Sequence, residues 1–373
     1  MSTSNPPSDT VEPGQQDPAG PSVPLLDYGC TPWRISSQRV ADLYDSGTKF
    51  WTKSDLVDIE RQLEQSATLD RFTIQCIDGK QVQVKNPLFG AEKPIWKPFV
   101  EYQEYWKLVA SKPDGSSETY YCSYLVGWRN QLMRDFCGNI EDWTRLFETK
   151  RQLWNRSITC ESFKSRLRKL LAARKVTKIV CFGLGDMARR PPEVTILPNQ
   201  AAKQLDLESH GADVHAEMIQ HAAALTMAEE IYRHDGKAIR LLAQDPQYTD
   251  DTKEFLREKG FEIVGNFGAG GFAEVDDESI VFSAWVAAPV KQIVADLARP
   301  AAFITMGDDR PPFNSFNKPF ADGESPRTRQ MWQGYEHWDF PTSSVEVEVM
   351  KGLDKLKIFT RARGEDAVRA SSG

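Results

Sequence analysis

Residues Lys178 to Asp186 read Lys-Ile-Val-Cys-Phe-Gly-Leu-Gly-Asp, a short apolar run that ends in a Gly-x-Gly turn. Such a run is a buried strand, and two glycines at its carboxyl end let the backbone turn sharply and approach a ligand closely. The first strand of a nucleotide-type α/β domain ends this way. The flanks extend the pattern. A basic helix-like run, Ser162 to Lys175, precedes it, and strands and helices alternate afterwards as far as Met306.

The spacing predicts strand one over Lys175 to Phe182, a long helix from His210 to His234, and strand two over Ala238 to Ala243. A helix over Asp251 to Lys259, stopped by Gly260, leads into strand three at Phe261 to Val264. A glycine-rich loop, Phe267 to Phe272, then precedes strand four (Ser279 to Ala284), a helix (Val290 to Ala298) and strand five (Ala301 to Met306). Strands separated by helices imply a parallel sheet with right-handed crossovers. The fold class expected is therefore α/β, a Rossmann-like, mostly parallel sheet with helices on both faces, joined to an α+β N-terminal region.

Four parts are expected: a disordered tail over residues 1–27, an aromatic-rich region over 28–156, the α/β domain over 157–310, and a largely irregular extension over 311–373. The tail is rich in Pro, Ser, Gly, Asp and Gln and nearly free of aromatics, so it cannot bury enough surface to offset ordering. In the second part Ser54 to Gln65 reads as a helix with Ser54 as N-cap. Two alternating runs, 71–77 and 81–85, flank Asp78-Gly79 and predict a hairpin. Trp96, Phe99, Tyr102 and Trp106, at spacings of three and four, predict a packed helix face over Pro94 to Val109, with an aromatic binding platform as the alternative. After Gly307 the periodicity breaks, with late candidate strands at Val345 to Val349 and Lys357 to Thr360. Internal repeats are not evident.

With 373 residues, 46 basic and 53 acidic, the net charge is −7. No global field draws such a chain to nucleic acid or an anionic membrane, and no run of about 18 apolar residues suggests a span. Six cysteines without a Cys-x-x-Cys pair suit a reducing compartment. The N-terminus shows no leader pattern, so cytoplasm or nucleus, with protein partners, is expected.

From Lys178 to about Asp308 the chain resembles the sensitivity-to-red-light-reduced family. The matching residues are 178–185, Gln220-His-Ala-Ala-Ala-Leu225, Gln244-Asp-Pro-Gln-Tyr-Thr249, the stretch from Phe255 to Val264, and Pro289 to Pro300. The aromatic N-terminal region looks like that of fungal members. The resemblance implies a Rossmann-like unit and a regulatory role, in light and circadian signalling, haem-biosynthesis regulation or cytoskeleton-related phenotypes among relatives, and no accepted enzymatic activity. One departure stands out: where many members carry Met-Pro-His-Cys after the fourth strand, this chain reads Trp285-Val-Ala-Ala288. An imidazole or thiol at Ala287 and Ala288 is thus missing.

The candidate cofactor-binding residues are Gly183, Gly185, Asp186 and Asp245. The two glycines permit close approach at the strand's carboxyl end, although a plain tight turn needs them too. Asp186 puts a carboxylate where a phosphate would arrive, which argues against a pyrophosphate. Asp245 follows strand two, where an acid accepts hydrogen bonds from ribose hydroxyls, or simply begins a turn with Pro246. Adenosine or S-adenosylmethionine is the ligand such an edge suits best. The loop Gly268-Ala-Gly-Gly271 either clasps the same ligand or is a connection.

His210, His215, His221 and His234 are not paired at i, i+4, so they predict no metal site and read as surface or capping residues. Asp308-Asp309 reads as a pair of solvated loop acids. A Gly-x-Ser-x-Gly elbow, a Walker loop and a His-Glu-x-x-His helix are all absent, so no catalytic residue is assigned. The chain is expected to be an intracellular regulatory protein that binds a small ligand at this edge. The rivals are a methyltransferase-like or nucleotide-using enzyme with the same edge as cofactor site, and a ligand-free scaffold.

Overall fold

A computed structural model describes residues 32–91, 94–131, 138–189, 214–284, 286–307 and 312–362. The tail over residues 1–27 lies outside them, as does Asp308-Asp309. Among the described residues the helices are α1 (Pro32–Asp45), α2 (Lys53–Glu64), α3 (Tyr105–Val109), α4 (Trp143–Asn155), α5 (Ile158–Leu171), α6 (Val214–Asp235), α7 (Asp250–Glu258), α8 (Gly270–Ala273), α9 (Val290–Leu297) and α10 (Pro326–Trp332). The strands are β1 (Arg71–Gln75), β2 (Gln81–Lys85), β3 (Trp96–Tyr102), β4 (Tyr124–Asn130), β5 (Lys178–Phe182), β6 (Arg240–Gln244), β7 (Phe261–Ile263), β8 (Ser279–Ser283), β9 (Ala302–Met306), β10 (Tyr335–Asp339) and β11 (Leu356–Arg361).

A seven-stranded sheet in the order β10-β11-β9-β8-β5-β6-β7 forms the centre. The five strands expected from the sequence, β5 to β9, run parallel. The central strands β5, β8 and β9 are nearly apolar throughout because they are covered on both faces, whereas the edge strand β7 exposes Glu262. Successive residues therefore feed two cores: Ile179, Cys181, Ile280, Phe282 and Ile304 face α4, α5 and α6, while Val180, Phe182, Val281 and Phe303 face the N-terminal region with α9 and α10.

The N-terminal region is a second layer on the sheet, not a separate body. Phe182 stacks on Phe272 with ring centroids 4.3 Å apart, and Phe272 meets Tyr102 edge-on at 5.7 Å. Asp296 of α9 accepts hydrogen bonds from the backbone of Phe50 and Trp51 at 2.7 and 3.2 Å. The β1–β2 hairpin closes at Asp78-Gly79, with Gly79 at φ 86°.

Several local expectations are revised. Helix α2 is capped by the Thr52 hydroxyl, which accepts from Asp55 N, and not by Ser54. Trp96, Phe99 and Tyr102 lie on strand β3, paired antiparallel with β4, and only Tyr105 to Val109 is helical; tertiary pairing overrides the three-four spacing. The long helix is seen from Val214, since residues 190–213 lie outside the described ones. The C-terminal extension is more regular than expected, with α10, β10 and β11; β11 pairs antiparallel with β9, and β10 pairs antiparallel with β11 at the edge. Residues 345–349 form turns and no strand.

Candidate site at the carboxyl edge of the sheet

Strand β5 pairs with β6 on one side and β8 on the other, so the order reverses at β5 and β8. In open parallel sheets ligands bind outside the carboxyl ends of the strands at such a reversal. Gly183 and Gly185 leave β5 there with φ 61° and 83°, a conformation that strains any other residue. The packing needs them as much as the turn does. A Cβ on Gly183 would lie 3.0 Å from Val286, and one on Gly185 would collide with the Glu217 carboxylate at 2.2 Å.

Asp245, about sixty residues later in sequence, does meet this turn. Its Oδ2 accepts the Gly185 N–H at 3.0 Å and its Oδ1 accepts the Gln247 N–H at 2.8 Å. The carboxylate is half-buried. Desolvation raises its pKa above the usual carboxylate range, against the pull of those two N–H groups and of Arg129.

Asp186 points inward and is nearly fully buried. Its Oδ1 accepts from Ala188 N at 3.1 Å and from the Thr252 hydroxyl, while Oδ2 accepts from Thr249 N. It ties the loop after β5 to the first turn of α7.

Beneath the turn, His221 Nε2 lies 2.9 Å from the Tyr248 hydroxyl and His221 Nδ1 lies 2.7 Å from the Glu217 carbonyl. Burial pushes the His221 pKa down to about 4, so the ring is neutral at physiological pH. Glu217 and Tyr248 escaped the sequence reading, and His221, expected as a surface or capping histidine, is fully buried instead. The available signal was Glu217 and His221 at i, i+4, on the helix that follows the Gly-x-Gly strand. Ser283 was missed as well. It ends β8 at 0% exposure, and its hydroxyl has no hydrogen-bond partner among the described residues.

The glycine-rich loop after β7 is built differently. Glu60, on α2 of the N-terminal region and 7% exposed, reaches into it. Its carboxylate accepts the N–H groups of Phe267, Ala269 and Gly270 at 2.9, 2.9 and 3.0 Å. Successive backbone N–H groups of this kind form an anion-binding nest. Gln244 closes the far side, donating to Gly268 O at 3.0 Å and accepting from Gly271 N at 2.7 Å. The loop is thus neither an open clasp nor a loose connection: a side chain of the same protein holds it. Burial raises the Glu60 pKa despite the three donors.

Among the described residues no group of three or more His, Cys, Asp or Glu side chains is placed to hold a metal ion. Among the described residues no helix is long and apolar enough to cross a membrane. No curated protein and no solved structure matches the chain. The family model of the SRR1 domain matches residues 159–308, which span α5, every parallel strand and the whole carboxyl edge. Over those residues the chain carries an SRR1 domain, the sensitivity-to-red-light-reduced domain that its strand and glycine pattern resembles.

Proposed function

We propose that the chain is a regulatory protein of the cytoplasm or nucleus that works by binding. The seat of a small adenosine-like ligand, S-adenosylmethionine among them, is the edge made by Gly183, Gly185, Asp186 and Asp245. Asp245 carries this reading. A carboxylate offers about four acceptor positions, and its two oxygens each accept one backbone N–H. The remaining positions, on a half-buried group at the carboxyl end of a parallel strand, suit the adjacent hydroxyls of a ribose. Asp186 supports the seat by holding the loop, and Ser283 brings a buried hydroxyl to the same edge. A regulatory role is what SRR1 domains have in common at family level, and the aromatic N-terminal layer fits the fungal type. Protein partners would use surfaces away from the edge.

A ligand-free scaffold is the second reading. It is favoured by Val286 and Glu217, which stand over the two glycines where a ligand would come closest. Calorimetric titration with S-adenosylmethionine and with adenosine separates the two. On the ligand reading, Asp245→Ala loses a charge-assisted hydrogen bond of about 1.5 to 3 kcal/mol, and affinity falls roughly tenfold to a hundredfold. Equal affinity in wild type and variant removes Asp245 from the seat, and binding by neither leaves the scaffold.

A further inference from the structure

Far from the carboxyl edge, helix α5 stands over the strands that the C-terminal extension adds to the sheet, and the two do not close on one another. A cavity of about 320 Å³ lies between them. One wall, with Phe163, Leu167 and Leu170, belongs to the SRR1 domain; the other, with Trp338, Ile358 and Thr360, belongs to the extension. Small-molecule sites span about 300 to 1000 Å³ and are mostly apolar with a few polar groups, and this cavity falls at the lower end of that range.

The charged groups around it are unbalanced. Arg166, Lys169, Arg174 and Arg361 line the cavity against a single acid, Glu336. Two of the four cations are engaged by the protein. Arg174 donates to the Arg361 carbonyl at 3.1 Å and to the Ala362 carbonyl, and Arg361 donates to Arg299 O at 2.7 Å and faces Asp277 at 3.7 Å. The other two are exposed at the mouth. Arg166 sits 5.9 Å over the Trp338 ring, and Lys169 makes no ion pair among the described residues. A large aromatic, 38% exposed beside a guanidinium, is a poor place for water and a good one for a flat apolar body.

We infer that this cavity binds a small amphipathic organic anion, with its apolar body between Leu167, Leu170 and Ile358 and its anionic group at Arg166 and Lys169. Charge complementarity excludes a cationic amphiphile, and the volume excludes a folded partner. The site lies outside the adenosine-like seat and stands or falls independently of it. It also gives the extension a role, since without β10 and β11 the cavity has only one wall.

Anilinonaphthalene sulfonate, an aromatic anion that fluoresces when shielded from water, is the probe, with uncharged N-phenylnaphthylamine as its control, both titrated into the full chain. The expected result is one sulfonate site per chain. The double variant Arg166→Gln/Lys169→Gln should weaken it about tenfold at low salt, and added salt should erase that difference. The uncharged control should bind wild type and double variant alike. Thr360→Trp, which places an indole in the cavity, should abolish both; Ala173→Trp at the other wall serves if the first variant is not folded by circular dichroism. Sulfonate affinity unchanged in the double variant, or retained in the filled variants, overturns the inference, as does displacement of the probe by an acidic peptide but not by a short-chain fatty carboxylate.

Discussion

Two loops leave the same edge of the sheet, and each closes around a carboxylate. The loop after β5 is held by Asp186 and Asp245, which belong to the SRR1 domain itself. The loop after β7 is held by Glu60, which comes from α2 about two hundred residues earlier and outside the domain match. The physics is the same, since clustered backbone N–H groups require an acceptor when buried. The origin differs, and the difference shows that the parallel sheet is completed by the layer in front of it. One face of β5 and β8, through Val180, Phe182 and Val281, is covered by α8 and α9 together with that layer and α10.

The largest effect should come from removing the outside support altogether. Residues 159–308 expressed alone should lack cooperative thermal unfolding, because Phe272 loses Tyr102, Phe303 loses Trp332 and the loop after β7 loses the Glu60 carboxylate. A sharp transition with dispersed amide resonances would break the comparison and make the domain self-sufficient.

Single substitutions then weigh the two pins against each other. Glu60→Ala leaves one buried and two part-buried N–H groups without an acceptor and should cost about 2 to 4 kcal/mol, and Asp186→Ala, which frees two N–H groups and a hydroxyl, about the same. The responses should separate by place. Hydrogen exchange should quicken at residues 265–271 in the first variant and at 183–189 with 249–252 in the second. Quickening at both loops in either variant would mean that the pins act as one unit. Glu60→Gln, which keeps an acceptor oxygen, should cost less than half as much as Glu60→Ala.

The smallest effect is a pH dependence that the two regions contribute with opposite sign. In the N-terminal layer, burial raises Glu104 from 4.5 to about 7, against the N–H groups of Trp106 and Lys107. Its contribution to stability is fully present below pH 4.5 and lost as pH rises through about 7. Under the edge, burial lowers His221 from 6.5 to about 4, so its contribution is present above pH 6.5 and lost as pH falls through about 4. Between pH 4.5 and 6.5 the two oppose. Denaturant midpoints for Glu104→Gln should therefore fall relative to wild type as pH drops through this window. His221→Gln should give the reverse trend. Parallel profiles for both variants would remove one of the two groups from the pH response.

The sequence by itself determined the parallel centre. An apolar run such as Lys178 to Phe182 or Ser279 to Ser283 must be covered on both sides, and helical segments between such runs leave a parallel sheet as the outcome. Asp78-Gly79 likewise sets its hairpin locally, because a three-residue loop with glycine at the left-handed position closes on its own backbone hydrogen bonds. The meeting of Gly185 with Asp245 was legible too, since the carboxyl ends of parallel strands share one edge. Only the tertiary structure decided the rest. The spacing of three in Trp96, Phe99 and Tyr102 suits a helix, and β4 overrides it with a ladder of hydrogen bonds that puts Phe99 on the opposite face from Trp96 and Tyr102. Glu60 reads as one more solvated helix acid until the loop after β7 folds onto it. Trp338 and Ile358 acquire a cavity only when β10 and β11 join the sheet opposite α5. Each of these depends on residues tens to hundreds of positions apart, and local periodicity carries no information about which distant group will satisfy a backbone amide or cover a side chain.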